Sequence, residues 1–178
     1  MSTHTMVRST TITVALCSAV VLAAAVMAVG LFKQHTVTYV RIVDVGLKGG
    51  DTSSPGADIR AVSITRPTRN RTWFAKSVVS GNIQNGNEGN NNEYKNPSAL
   101  LGDPDKKTDP QHLSLGGGEI VVTLPIIAKV SDVIEVDEIG SKTGVHPDKF
   151  EVYMSKDAKG PWQLLGESDG PSTFTIAE

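Results

Sequence analysis

The chain has 178 residues, of which 39% are hydrophobic, enough to enclose one respectable core in the size range of a single domain. A formal charge of -2, with Lys and Arg scattered along the chain, excludes the basic footprint that nucleic-acid phosphates demand. The single cysteine, Cys17, falls in an apolar N-terminal stretch, so the remainder has neither a disulfide nor a thiolate for zinc or nucleophilic chemistry.

The first predicted element is that stretch. From Thr11 to Phe32 run 22 residues without a charge, between Arg8 and Lys33. This is long enough to cross a bilayer core of about 30 Å as a helix. Two readings stay open. The length favours a retained anchor, whereas Val26-Met27-Ala28 offers the small residues of a cleaved signal, whose apolar region is usually only about 7–15 residues. Arg8 and the amino terminus on the short side place the N-terminus inside and the rest of the chain outside, extracellular or periplasmic. Residues 1–35 are thus expected to be a membrane anchor or signal segment, and residues 36–178 a folded domain.

After Phe32 the pattern turns to short runs rich in Val, Ile, Thr and aromatics, punctuated by Gly, Pro, Asn and Asp. Strands are predicted over Thr36–Val45, Asp58–Thr65, Thr72–Val79, Glu119–Leu124, Val133–Ile139, Lys149–Ser155, Trp162–Leu165 and Thr173–Ile176. In the Lys149–Ser155 run, Phe150, Val152 and Met154 share one face and Lys149, Glu151 and Tyr153 the other, as in a strand with one side on a core. Many short strands without an amphipathic helix predict an all-β fold, a jelly-roll-like antiparallel β-sandwich preceded by one N-terminal apolar helix. Between the strands, residues 81–93 form an Asn- and Gly-rich tract with too little apolar surface to offset its ordering entropy, and a mobile loop is expected there. Residues 96–111 carry Pro97, Pro104 and Pro110 among Asp103, Asp105 and Asp109, which suits an irregular connection.

The run Asn96-Pro97-Ser98-Ala99-Leu100-Leu101-Gly102-Asp103-Pro104-Asp105, followed by Leu113-Ser114-Leu115-Gly116-Gly117-Gly118-Glu119-Ile120-Val121-Val122, resembles the opening of a bacterial cell-surface β-sandwich family. Ile134–Gly140, Glu151–Asp157 and Trp162–Gly166 continue the family's pattern in order. The last two also resemble galactose-binding-like jelly rolls of the discoidin type. In that family the Trp-bearing strand leads to a closing segment. Here the closing segment stands at the beginning, as Thr38–Gly46 and Ser54–Val62, so the sequence looks circularly permuted. Permutation is tolerated where termini lie together at the surface. Strand exchange with a neighbouring copy is the alternative, and the slack in residues 46–57 and 66–71 favours self-completion.

Catalytic motifs are not legible. Gly116-Gly117-Gly118 lacks the Lys-Ser/Thr of a phosphate loop and leads into a strand. His4, His35, His112 and His146 have no metal-ligand spacing. Glu135, Asp137 and Glu138 form the nearest carboxylate group, but neighbours in a strand point to opposite faces. Calcium is the one cofactor the residues suggest, on oxygen ligands from Asp44, Asp58, Asp103, Asp105, Asp137 and Glu138, and the resemblance adds that such domains often carry a structural ion. Asn70-Arg71-Thr72 is a glycosylation sequon. Trp73 and Trp162 are either sugar-stacking platforms or core residues. The expected function is a non-enzymatic, membrane-targeted surface module for structural or adhesive interaction, with the membrane, copies of itself or a surface glycan as partners. The alternative is a carbohydrate-binding module with an exposed aromatic at one end of the sandwich.

Overall fold

Alternation along the chain sets the architecture. In the strand Thr38–Asp44, residues 38, 40, 42 and 44 are buried and Tyr39, Arg41 and Val43 are not, the period-two pattern of a half-buried strand. The computed structural model describes residues 37–46, 56–83, 92–107, 112–139 and 149–178. The expected N-terminal helix lies outside the described residues, as do positions 84–91 of the Asn/Gly tract. Among the described residues no helix is long and apolar enough to cross a membrane.

The strands are β1 (Thr38–Asp44), β2 (Asp58–Arg66), β3 (Arg71–Phe74), β4 (Ser77–Asn82), β5 (Leu113–Ser114), β6 (Glu119–Leu124), β7 (Val133–Glu138), β8 (Phe150–Ser155), β9 (Gln163–Ser168) and β10 (Ser172–Thr175). One sheet has the order β4-β6-β1-β8-β9 and the other β10-β7-β2-β3, with the short β5 beside β2. The pairings are antiparallel. Val40, Ile42, Ile120, Val122, Phe150 and Val152 of the first sheet join Ile59, Val62, Ile64, Ile134 and Val136 of the second in one buried core. The all-β sandwich read from the alternation is therefore present, and Met154 packs on the core beside Phe150 and Val152 as its face requires.

β1 is the central strand of the first sheet. Tyr39 stands opposite Thr123 of β6 on one side and Ser155 of β8 on the other. The N-terminal strand thus completes its own chain's sheet.

Two expectations are corrected by the structure. The run Thr72–Val79 is not one strand but two, in different sheets, joined through Ala75 and Lys76. Ala75 N donates to Val62 O (2.8 Å) and Lys76 N to Thr123 O (2.9 Å), so the chain steps across the sandwich within two residues. No Gly or Pro announces the step, because a buried alanine with both neighbouring amides bonded needs no special backbone. The Asn/Gly tract also begins later than residue 81. Gly81 and Asn82 belong to β4, where a Cβ on Gly81 would lie 2.7 Å from Ile120 Cδ1. At the other end of the tract Asn92–Lys95 forms a 3-10 turn.

Candidate functional site

On the outward face of the sheet β4-β6-β1-β8-β9, around the middle of β1, lies a cluster of aromatic and charged side chains. Arg41 and Tyr153 stand opposite each other in register. The guanidinium carbon of Arg41 lies 5.6 Å from the Tyr153 ring centroid and 6.0 Å from that of Trp162, within cation–π range of both. Arg41 is held from the other side by Glu119, whose Oε2 accepts from Nε at 3.1 Å and also pairs with Nη2. The Tyr153 hydroxyl donates to Glu151, and that carboxylate holds the phenol above its ordinary range by stabilising the protonated form.

Trp162 is set in place by the turn between β8 and β9. Ser155 Oγ accepts from Asp157 N (3.0 Å), Asp157 Oδ1 accepts from Lys159 N (3.0 Å), and Gly160 N donates to Asp157 O (3.1 Å). Gly160 has φ +89°, and a Cβ there would lie 2.9 Å from Trp162 Cδ1, so only glycine allows the indole to fold back over the turn. The indole forms one wall of a cavity of about 450 Å³. Ile127, Ala128 and Met154 supply apolar lining, and Lys156, Asp157 and Gln163 polar groups. An apolar pocket with a few polar groups and a half-buried indole is the usual form of a small-ligand site. Trp73, by contrast, packs against the core, with Arg71 and Arg66 at 4.9 and 5.9 Å from its ring.

The acidic residues singled out for calcium are divided. Asp44, at the far end of β1, accepts from three backbone amides, Gly46 N (2.9 Å), Ala57 N (3.1 Å) and Gly117 N (2.8 Å), and so ties three segments together. Gly56 is required beside it, since a Cβ at φ +76° would lie 1.9 Å from Asp44 Oδ2. Asp58 accepts from Ser114 Oγ (2.5 Å), with His112 Nε2 at 3.7 Å, and its own amide donates to Oε1 of the fully buried Glu138 (3.3 Å). Asp137 binds Arg60 Nε at 2.6 Å. Asp103 caps the turn Pro104–Lys106, accepting from Asp105 N (3.1 Å) and pairing with Lys106 Nζ (2.9 Å). The structure thus brings together Asp58 and Glu138, with Asp44 binding the amide next to Asp58, and leaves Asp103, Asp105 and Asp137 apart from them. Among the described residues no three His, Cys, Asp or Glu side chains gather in a way that could hold a metal ion.

Of the site's residues only Trp162 stands out in the sequence as a candidate ligand platform. Arg41 and Tyr153 were legible as outward positions of their strands, but nothing in either strand alone shows that β1 and β8 pair with those two opposite each other. The pocket's loop, residues 125–132, carries no motif. Comparison with known protein families, with characterised proteins and with solved structures finds no match to this chain.

Proposed function

We propose that this is a non-enzymatic surface module, held to a membrane by its N-terminal apolar segment and displayed outside the cell, which acts in adhesion by binding a glycan at the Trp162 pocket. The observation that carries the reading is the half-buried indole, one wall of the pocket and 6.0 Å from Arg41. A sugar ring presents C–H groups to an indole face and hydroxyls to polar side chains around it, and Lys156, Asp157 and Gln163 line the pocket together with the indole. We assign no reaction chemistry. Of the carboxylates that sequence spacing offered for catalysis, Asp137 is bound to Arg60 and Glu138 is buried on the opposite face from Glu135. The sandwich is proposed to be a circularly permuted jelly roll of the galactose-binding type. That reading draws support from β1, which lies between β6 and β8, the place a closing strand would take.

The test is a panel of purified envelope polysaccharides and their fragments against the intact chain. At least one glycan is expected to bind, with affinity falling about ten-fold in Trp162→Ala, the scale of one aromatic stacking contact. Trp73→Ala serves as the control that keeps binding. A panel without a ligand, or equal binding by Trp162→Ala, would sink the glycan reading.

A further inference from the structure

We propose that the end of the sandwich where β1 begins is a docking face for a lipid bilayer containing anionic phospholipid. The inference rests on the anchored reading above. Four segments form this end: the start of β1, the turn between β2 and β3, the loop 125–132, and the turn between β8 and β9. The loop is clamped from within. Arg66 grips Asp132 through Nε (2.9 Å) and Nη2 (2.7 Å), its Nη2 also donates to Ile127 O (2.9 Å), and Thr38 Oγ1 accepts from Ala128 N (2.7 Å). These bonds fix the loop without using its apolar side chains. Ile127 and Val130 project outward, 43% and 53% exposed, with Lys129 exposed between them.

The charge around these apolar tips is positive. Arg69, Arg71, Lys129, Lys156 and Lys159 are exposed at this end. The acids there offset little of it. Asp132 is buried against Arg66, Asp157 is half-buried with an oxygen accepting from Lys159 N, and Glu178 at the terminus remains as the exposed acid following the segment bound to Asp132. Apolar tips ringed by Lys and Arg bind bilayers by burying the tips at the headgroup level, while each cation near an anionic surface adds its own attraction.

In the anchored reading, the stretch of chain between the apolar segment and this end of the domain is short. Only residues 33–37 separate Phe32, where the apolar stretch ends, from Thr38, where β1 begins. Such a tether spans at most about 20 Å at full extension. Ile127 and Lys156 also line the Trp162 pocket, so the docking face and the pocket share these two residues.

The test is hydrogen–deuterium exchange of the intact chain reconstituted in vesicles of phosphatidylcholine alone and in vesicles that also carry phosphatidylglycerol. Residues 67–71 and 125–132 are expected to exchange at least about five-fold more slowly in the anionic vesicles, the effect of one cation near such a surface. High salt should erase most of the difference. Ile127→Asp with Val130→Asp, and separately Arg69→Glu with Lys129→Glu, should abolish it, with the melting temperature of each variant measured to show that it is folded. Equal exchange in the two vesicles, by a chain that still floats with them after an alkaline wash, overturns the docking face and leaves the anchor standing. A chain stripped off by that wash overturns the anchored reading and the docking face with it.

Discussion

Two ion pairs show how burial decides what a residue contributes. Asp103 and Lys106 pair at 2.9 Å, and each holds the other in its charged form, but the lysine side chain is 82% exposed and water competes for both charges. Arg66 and Asp132 make a two-pronged pair with side chains only 13% and 3% exposed. Burial pushes the Asp132 carboxyl up, yet the Arg66 fork and the Lys129 amide more than offset that and carry it below the ordinary carboxylate range. A carboxyl depressed in the folded state stabilises the fold at any pH above its unfolded value, and that contribution is lost as pH falls through the folded value. Asp132→Asn is therefore expected to lower stability by about 3 kcal/mol at neutral pH, because Arg66 is left buried beside a neutral partner. The deficit should shrink as the solution is taken below the ordinary carboxylate range, where the native Asp132 is itself protonated. Urea unfolding of both proteins across that pH range measures it. A deficit that stays constant would show that the charge on Asp132 is not what stabilises the loop.

At the scale of elements, strands were legible wherever one face meets the core. β1, β7 and β8 alternate because one side packs inward, β6 is a short apolar run buried at Ile120–Val122, and the predicted and observed bounds of all four agree to within about two residues. What escaped was set by partners distant in sequence. The crossing at Ala75-Lys76 depends on Val62 and Thr123 receiving the two amides. The two-residue β5 exists only because Asp58 and Ile59 offer it an edge. The place of β1 at the start of the chain can be changed by design. Ile176 bonds to Asp132 and Ser131, and Thr38 bonds to Ala128, so both chain positions meet the same loop. A chain running from residue 56 to 178, then through about eight Gly/Ser residues, a reach of roughly 25 Å, into residues 37–46 is expected to fold with the same sheets. Its melting temperature should fall within a few degrees of the parent domain, and its circular dichroism should match. A permutant that aggregates or loses its sheet signal would show that β1 must enter from the N-terminal side.

Across the whole molecule the two ends of the sandwich differ in how their charges are used. At the far end the acids are consumed internally, Asp44 by three amides, Asp58 by Ser114, and Glu138 by the Asp58 amide. A carboxylate already surrounded by protein donors has few lone pairs left for a cation that requires six to eight oxygens. At the near end the cations face solvent, where Arg69, Arg71 and Lys129 are available to a partner. The candidate acids were legible as residue types, but their spending on backbone amides was not, because those amides come from loops remote in sequence. The consequence is measurable on the fragment Lys33–Glu178. A calcium site held at a hundred times its dissociation constant would stabilise the fold by about 2.7 kcal/mol. For a domain of this size that is a rise of roughly 5–10 °C in melting temperature. No such shift is expected between calcium and chelator. The same samples in light scattering should give the mass of one chain at every concentration, since β1 already has both of its neighbours within its own chain. A calcium-dependent melting point would return Asp58 and Glu138 to the role of ligands. A mass that climbs with concentration would mean that β1 trades its place between copies, and the module would then be a building block of a surface assembly.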